Sequence, residues 1–248
     1  MEILQRKVLA VEHPEPRQGM TSQHRVRPLM PAAMRGEWEA VDPFLALMED
    51  WFPRGVFGKH PHRGIETVTY VLEGRVDHYD NLGHEGAIRP GEAQWMTAGR
   101  GLIHNEIPAE GDTVHSLQLW VNLPASDKMT APRYQDLVGE NVPVRRAPGA
   151  EIRVFSESVP EDHVAFFVVY EGEATAPTEG GECALKGLTL ATLGPGERAE
   201  LKANEAGARA LLLAARPLNE PVAWSGPFVM NTREELMQAF EDYRQGRF

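Results

Sequence analysis

The sequence is short of cysteine, of positive charge and of long apolar runs, and each shortage closes a class of function. Cys183 is the single cysteine, which excludes an internal disulfide and suits a reducing compartment. Lysine and arginine number 25 against 36 aspartates and glutamates, a formal net charge of -11. A chain this acidic lacks the basic face that sequence-independent nucleic-acid binding requires, though it can still meet a protein partner. The segment Met1-Glu2-Ile3-Leu4-Gln5-Arg6-Lys7 carries no apolar leader, and no later stretch reaches the length of a membrane span. The expected location is the cytoplasm.

What the sequence does contain is room for a core: 248 residues with 42% hydrophobic side chains, enough for one large or two small domains. Residues 1–50 are punctuated by proline and charge around short apolar pieces. From residue 56 to 123 the texture is that of strands, with turn clusters at Asn81-Leu82-Gly83-His84-Glu85-Gly86 and Arg89-Pro90-Gly91-Glu92. Residues 124–150, rich in Pro, Asp, Lys and Arg, read as a linker or ordered loop between lobes. Near the end, Thr232-Arg233-Glu234-Glu235 is a capping box. With Leu236, Phe240 and Tyr243 at helical spacing, it predicts one helix over 233–245 that ends at Gly246.

A weak repeat divides the chain. Val71-Leu72-Glu73-Gly74 is echoed by Val169-Tyr170-Glu171-Gly172, and Pro90-Gly91-Glu92 by Pro195-Gly196-Glu197. Two copies of one β unit are implied, in lobes expected at 1–130 and 131–248. The second copy lacks the chemistry of the first: no His-x-His precedes Val169, and Ala208-Arg209-Ala210-Leu211-Leu212-Leu213 is largely apolar where a ligand pair would fall.

That chemistry lies between His60 and Glu106. Residues two apart share a face of a strand, so His60 and His62 point together, and so do His104 and Glu106. Pro61 favours an extended chain before it. Two such pairs on neighbouring strands would gather three imidazoles and a carboxylate around a divalent transition metal. By parity Glu66 shares a face with His60 and His62, so either Glu66 or Glu106 can complete the set, and spacing does not choose. His13, His24, His78, His84, His115 and His163 have no such pairing and read as surface or hydrogen-bonded residues, with His115 a candidate partner for a ligand. Arg63 and Arg100 are candidates for positive charge at the rim. Trp51 and Phe52 suit either a pocket wall or core packing.

Two segments carry a family likeness. His60-Pro61-His62-Arg63-Gly64-Ile65-Glu66-Thr67-Val68-Thr69-Tyr70 resembles the first signature of the pirin family within the cupin superfamily. Gln94-Trp95-Met96-Thr97-Ala98-Gly99-Arg100-Gly101-Leu102-Ile103-His104-Asn105-Glu106 resembles the second. Asp42-Pro43-Phe44-Leu45, Trp120-Val121-Asn122-Leu123-Pro124 and Gly226-Pro227-Phe228-Val229-Met230-Asn231-Thr232 are also similar to pirin segments. The resemblance implies an all-β bicupin, two stacked antiparallel β-barrel or jelly-roll lobes with a short C-terminal α-helix. It implies one metal in the N-terminal lobe, held by His60, His62, His104 and Glu106.

Nitrogen and oxygen ligands without thiolate suit Fe(II), the first expectation, as well as Ni, Mn, Co, Cu or Zn. The resemblance further implies a dioxygenase of the quercetin 2,3-dioxygenase type. Its substrates would be O2 and a flavonol-like small aromatic, and Glu106 would take the substrate's proton. Two other functions are compatible with the same resemblance. One is a metal-dependent co-regulator that binds a protein partner. The other is a non-redox isomerase or hydrolase.

Overall fold

The computed structural model describes residues 3–30, 35–154, 160 and 162–248; Met1 and Glu2, read above for a leader, lie outside them. The described chain is mostly β-strand, and the helix Arg233–Arg244 is its one α-helix among the described residues. Thr232 and Glu235 form the expected reciprocal cap, in which the Thr232 side chain accepts from the Glu235 amide. No helix is long and apolar enough to cross a membrane among the described residues.

The chain forms two compact units that interleave in sequence. One holds Met1–Glu15, Pro28–Pro43 and Glu157–Leu218; the other holds Pro16–Arg27, Phe44–Ser156 and Asn219–Phe248. Neither unit is a single run of sequence. The strand Val8–Glu12 pairs with Thr189–Leu193, so the beginning of the chain completes the sheet of a later segment. The segment from Asn219 onward returns to the earlier one, where Arg63 and Val229 exchange backbone hydrogen bonds with Pro227 and Arg63.

The first unit is built on a five-stranded sheet, in which the long strand Val164–Thr178 pairs with Gly181–Lys186, Thr189–Leu193 and Lys202–Ala215. Its core is Val8, Ala165, Phe167, Val169, Leu185 and Leu193, with Cys183 half-buried against it. The repeat seen in sequence has a structural counterpart here. Gly74 and Gly172 both take positive φ, 80° and 73°, and near each the strand pairing slips register. The echoed Glu-Gly marks the same kind of irregularity in both units.

In the second unit a seven-stranded sheet faces a four-stranded one. The larger runs in the order Arg133–Leu137, Ala93–Thr97, Ile65–Glu73, Thr113–Asn122, Phe44–Pro53, Arg25–Pro28, Arg17–Gln18. The smaller runs His60–His62, Leu102–Pro108, Val76–Asp80, Glu85–Ile88. Side chains bridge the two, since Thr69 and Gln118 of the larger sheet bond Glu106 of the smaller.

Register layers the interior between these sheets. At one end Phe52, Val71, Val76, Ile88 and Val114 form a dry core, each such side chain worth about 1.5–3 kcal/mol when fully buried. Two residues further along the same faces stand Asp50, Thr69, His78, Ser116 and Glu106, all buried. The switch from apolar to polar along four strands at once, with Glu106 beside them on a fifth, marks a site rather than packing.

Residues 124–150 contain more order than a linker. Arg133–Leu137 adds to the edge of the larger sheet by pairing with Ala93–Thr97, and Val144–Ala147 forms a hairpin with Ala150–Arg153. The polar composition that suggested a loop is that of edge strands, which carry charge on their open side.

Candidate metal centre

His60 and His62 lie on an edge strand of the smaller sheet, with Leu102–Pro108 beside it. His104 is directly opposite His60, and Leu102 is opposite His62. Facing residues of an antiparallel pair share a side, so all three imidazoles point inward. Their ring centroids are 4.9 Å (His60–His62), 4.4 Å (His60–His104) and 5.1 Å (His62–His104) apart. One ligand nitrogen from each lies within 4.8 Å of the other two, the one such His, Cys, Asp and Glu cluster among the described residues.

His60 Nδ1 donates to the Gly58 carbonyl at 2.8 Å, which leaves its Nε2 lone pair free. That Nε2 stands 3.0 Å from His104 Nε2. Nitrogens that bind one ion at about 2.1 Å and at right angles to each other lie about 3.0 Å apart. Burial pushes His62 and His104 well below the ordinary imidazole range, and mutual repulsion among the cluster adds to it. Neutral imidazoles that converge in a buried site fit a divalent cation, which takes unprotonated nitrogen.

Glu106 is buried two residues beyond His104 on the same face, but its carboxylate falls outside the tight triad of imidazoles. Gln118 Nε2 donates to Oε1 at 3.2 Å and Oε2 at 3.0 Å, and Thr69 Oγ1 donates to Oε1 at 3.0 Å. The amide orientation of Gln118 is fixed in turn by Trp120, whose Nε1 donates to Gln118 Oε1 at 3.1 Å. Trp120 also meets the His62 ring edge-on at 5.0 Å. The larger sheet therefore aims a held carboxylate into the same interior.

Glu66 points elsewhere. Parity from His62 does not reach it, because Gly64 takes φ of 77° and the chain leaves one sheet for the other between His62 and Ile65. Glu66 shares its face with Val68 and Tyr70, opposite to Thr67 and Thr69, and accepts from Thr97 Oγ1 at 2.6 Å. A side chain at position 64 would put its Cβ 1.9 Å from the Val229 carbonyl oxygen, so the turn needs glycine on steric grounds too.

His115 is on the outer face, bonded to Glu49 at 2.7 Å and stacked on Trp51 at 4.6 Å, so it does not touch the cluster. Phe52 belongs to the dry core. Arg63 is not a rim charge: its buried guanidinium pairs with Asp242 and donates through Nε to the Arg100 carbonyl at 2.6 Å. His24 is buried and bonded to Asp50 at 2.7 Å. His78 is neither exposed nor hydrogen-bonded among the described residues. Sequence reading missed Thr69, Gln118 and Trp120; the alternation Ser116-Gln118-Trp120 within the strand Thr113–Asn122 placed polar residues on one face and was the available signal.

The chain matches the family model for pirin over residues 23–121 and that for the pirin C-terminal cupin domain over residues 144–248. A pirin-like protein of Caulobacter vibrioides is 42% identical, over 86% of this chain and 89% of its own length. Human pirin is 36% identical, over 86% of this chain and 85% of its own. The crystal structure of a quercetin 2,3-dioxygenase from Acinetobacter baumannii superposes with a TM-score of 0.82 at 31% identity, covering 98% of both chains. Matched at both ends by those models and along its length by these relatives, the chain belongs to the pirin family.

Proposed function

We propose that this pirin is a metal-dependent dioxygenase that cleaves flavonols such as quercetin with O2. The observation that carries the reading is the inward convergence of His60, His62 and His104, with two nitrogens 3.0 Å apart. It is supported by similarity to the A. baumannii quercetin 2,3-dioxygenase over nearly the whole chain. His60, His62 and His104 would hold the ion, Fe(II) first among the candidates, and Glu106 would be the fourth ligand. When bound, such an ion supplies Lewis acidity and redox capacity to a substrate and O2 held beside it.

The rest is done by the chain. Trp120 and Phe57 flank the histidines, at 5.0 Å from His62 and 6.4 Å from His60, and give an aromatic substrate apolar surface to lie against. Glu106 accepts the proton of the flavonol 3-hydroxyl at one of its carboxylate oxygens. Gln118 and Thr69 hold that carboxylate in place, so little reorientation is needed when the proton arrives.

The test is purified protein stripped of metal, reloaded separately with Fe(II), Ni, Mn, Co, Cu or Zn, and assayed for O2 uptake with quercetin. Turnover with a redox-capable ion is expected, and its loss in His60→Ala and His104→Ala. Absence of turnover with every ion would sink the proposal. A native content of zinc alone would favour a non-redox isomerase or hydrolase.

A further inference from the structure

His78 is outside the metal cluster, yet it stands directly opposite Glu106 in register and on the same inward face as His104 and Glu106. It is 3% exposed, and neither Nδ1 nor Nε2 has a hydrogen-bond partner among the described residues. Asp136 Oδ1 is 3.8 Å from Nε2, beyond hydrogen-bonding reach. Tyr134 stacks on the His78 ring at 4.9 Å, and its buried hydroxyl is also without a partner. Three orphaned polar atoms thus gather in one place beside the candidate metal centre. Native interiors tolerate few such atoms, and a cluster of them calls for a partner from outside the chain.

The surroundings say where that partner enters. Arg133–Leu137 is one edge of the larger sheet and Glu85–Ile88 one edge of the smaller, and they do not pair with each other. Tyr134 and Asp136 come from the first edge. Gly86, on the second, is opposite His78; a Cβ there would fall 2.4 Å from His78 Nε2 and 2.9 Å from Asp136 Oδ2. The missing side chain lets the imidazole lie over the strand at this seam. Asp136 is 37% exposed at its side chain, so the seam reaches solvent.

We infer that His78 and Tyr134 form a second recognition point for the substrate, at which they hydrogen-bond ring hydroxyl or carbonyl oxygens remote from the group that reaches the metal. A neutral imidazole offers one N–H and one lone pair, and a phenol adds a donor that also accepts. That set matches a polyhydroxylated aromatic, not a plain hydrocarbon ring. The inference rests on the flavonol reading and narrows it to substrates rich in hydroxyls.

Equilibrium binding separates the two. Metal-loaded protein is titrated with quercetin and with 3-hydroxyflavone, which keeps the metal-directed hydroxyl and lacks the others. The parent protein is expected to prefer quercetin by roughly tenfold or more, since a site built to bond hydroxyls rejects analogues without them. Tyr134→Phe, which keeps the ring stack, and His78→Phe should each erode that preference, leaving 3-hydroxyflavone affinity and metal content unchanged. Metal-free Tyr134→Phe should melt no lower than the parent, because it removes an unpaired hydroxyl. If the parent binds neither flavonol, the substrate class and this inference both fall. If the parent prefers quercetin and Tyr134→Phe prefers it equally, the inference alone is overturned.

Discussion

Arg63 and Asp242 meet at 2.7 Å although 179 residues separate them. The arginine follows ligand candidate His62 directly, and its guanidinium also lies over the Phe248 ring, 4.3 Å from the centroid. Through Nε it reaches the Arg100 carbonyl, in the loop that leads to His104. One side chain thus joins both histidine segments to the C-terminal helix. Asp242→Ala is expected to lower unfolding stability by about 2 kcal/mol, the scale of a hydrogen bond to a charged group, as read by urea denaturation.

The same pair sets an acid dependence. Hydrogen bonds from Arg63 and then Arg247 hold the Asp242 carboxyl well below the usual carboxylate range. A depressed folded-state pKa stabilises fully above the unfolded value, near ~4, and that contribution is lost as pH falls through the folded value. Stability of the parent should therefore fall more steeply than that of Asp242→Ala below about pH 4, measured by denaturation at a series of acid pH values. Parallel curves would refute the coupling.

Two carboxylates compete for the ion in sequence, and their environments separate them. Glu106→Gln should weaken metal binding by at least ~10-fold, whereas Glu66→Gln, on the opposite face and bonded to Thr97, should leave it within about twofold. Competition with a chromogenic chelator measures both. Equal losses would return Glu66 to the site.

Gln118 acts through Glu106. Its replacement by leucine removes the one nitrogen that bonds both oxygens of that carboxylate and is expected to cost roughly 10–100-fold in metal affinity. Thermal stability without metal is the control: a fall in metal-free stability matching the whole loss of affinity would mean that Gln118 serves packing only.

Lys128 gives an alkaline signature. It is 1% exposed, with Nζ donating to the Gly64 and Val229 carbonyls and to Asn122 Oδ1 at 2.7–3.0 Å. Burial pushes its pKa down to about 8, against partial compensation from Glu220 and Glu235. Between that value and the ordinary 10.5 the unfolded chain binds more protons than the folded one, so stability rises with pH across the window. Lys128→Met, which takes the ammonium donor from Asn122 Oδ1 and the Gly64 and Val229 carbonyls, should be less stable than the parent and should lack this rise in urea titrations at pH 7 and 9.5.

Much of this was legible in the sequence where a local period carried it. Thr232 and Glu235 announce the helix cap. The spacing of His60 with His62, and of His104 with Glu106, survives because each pair lies on one unbroken strand. Parity failed from His62 to Glu66 because Gly64 turns the chain between two sheets, an event invisible to residue counting. The partners of Glu106 were hidden for a different reason: Thr69 and Gln118 come from strands of the facing sheet, and register between sheets leaves no mark on a single chain. His78 shows the same limit, since only pairing with Leu102–Pro108 turns it inward.

The packing of Phe248 has a further consequence. Its ring lies so close to Gly101 that a Cβ there would stand 2.8 Å away, and it stacks beneath Arg63. During synthesis the three imidazoles emerge more than a hundred residues before this brace, and domains organise from the first-made end. The two strands that carry these imidazoles are therefore fastened to the C-terminal helix only once residues near 242–248 have docked.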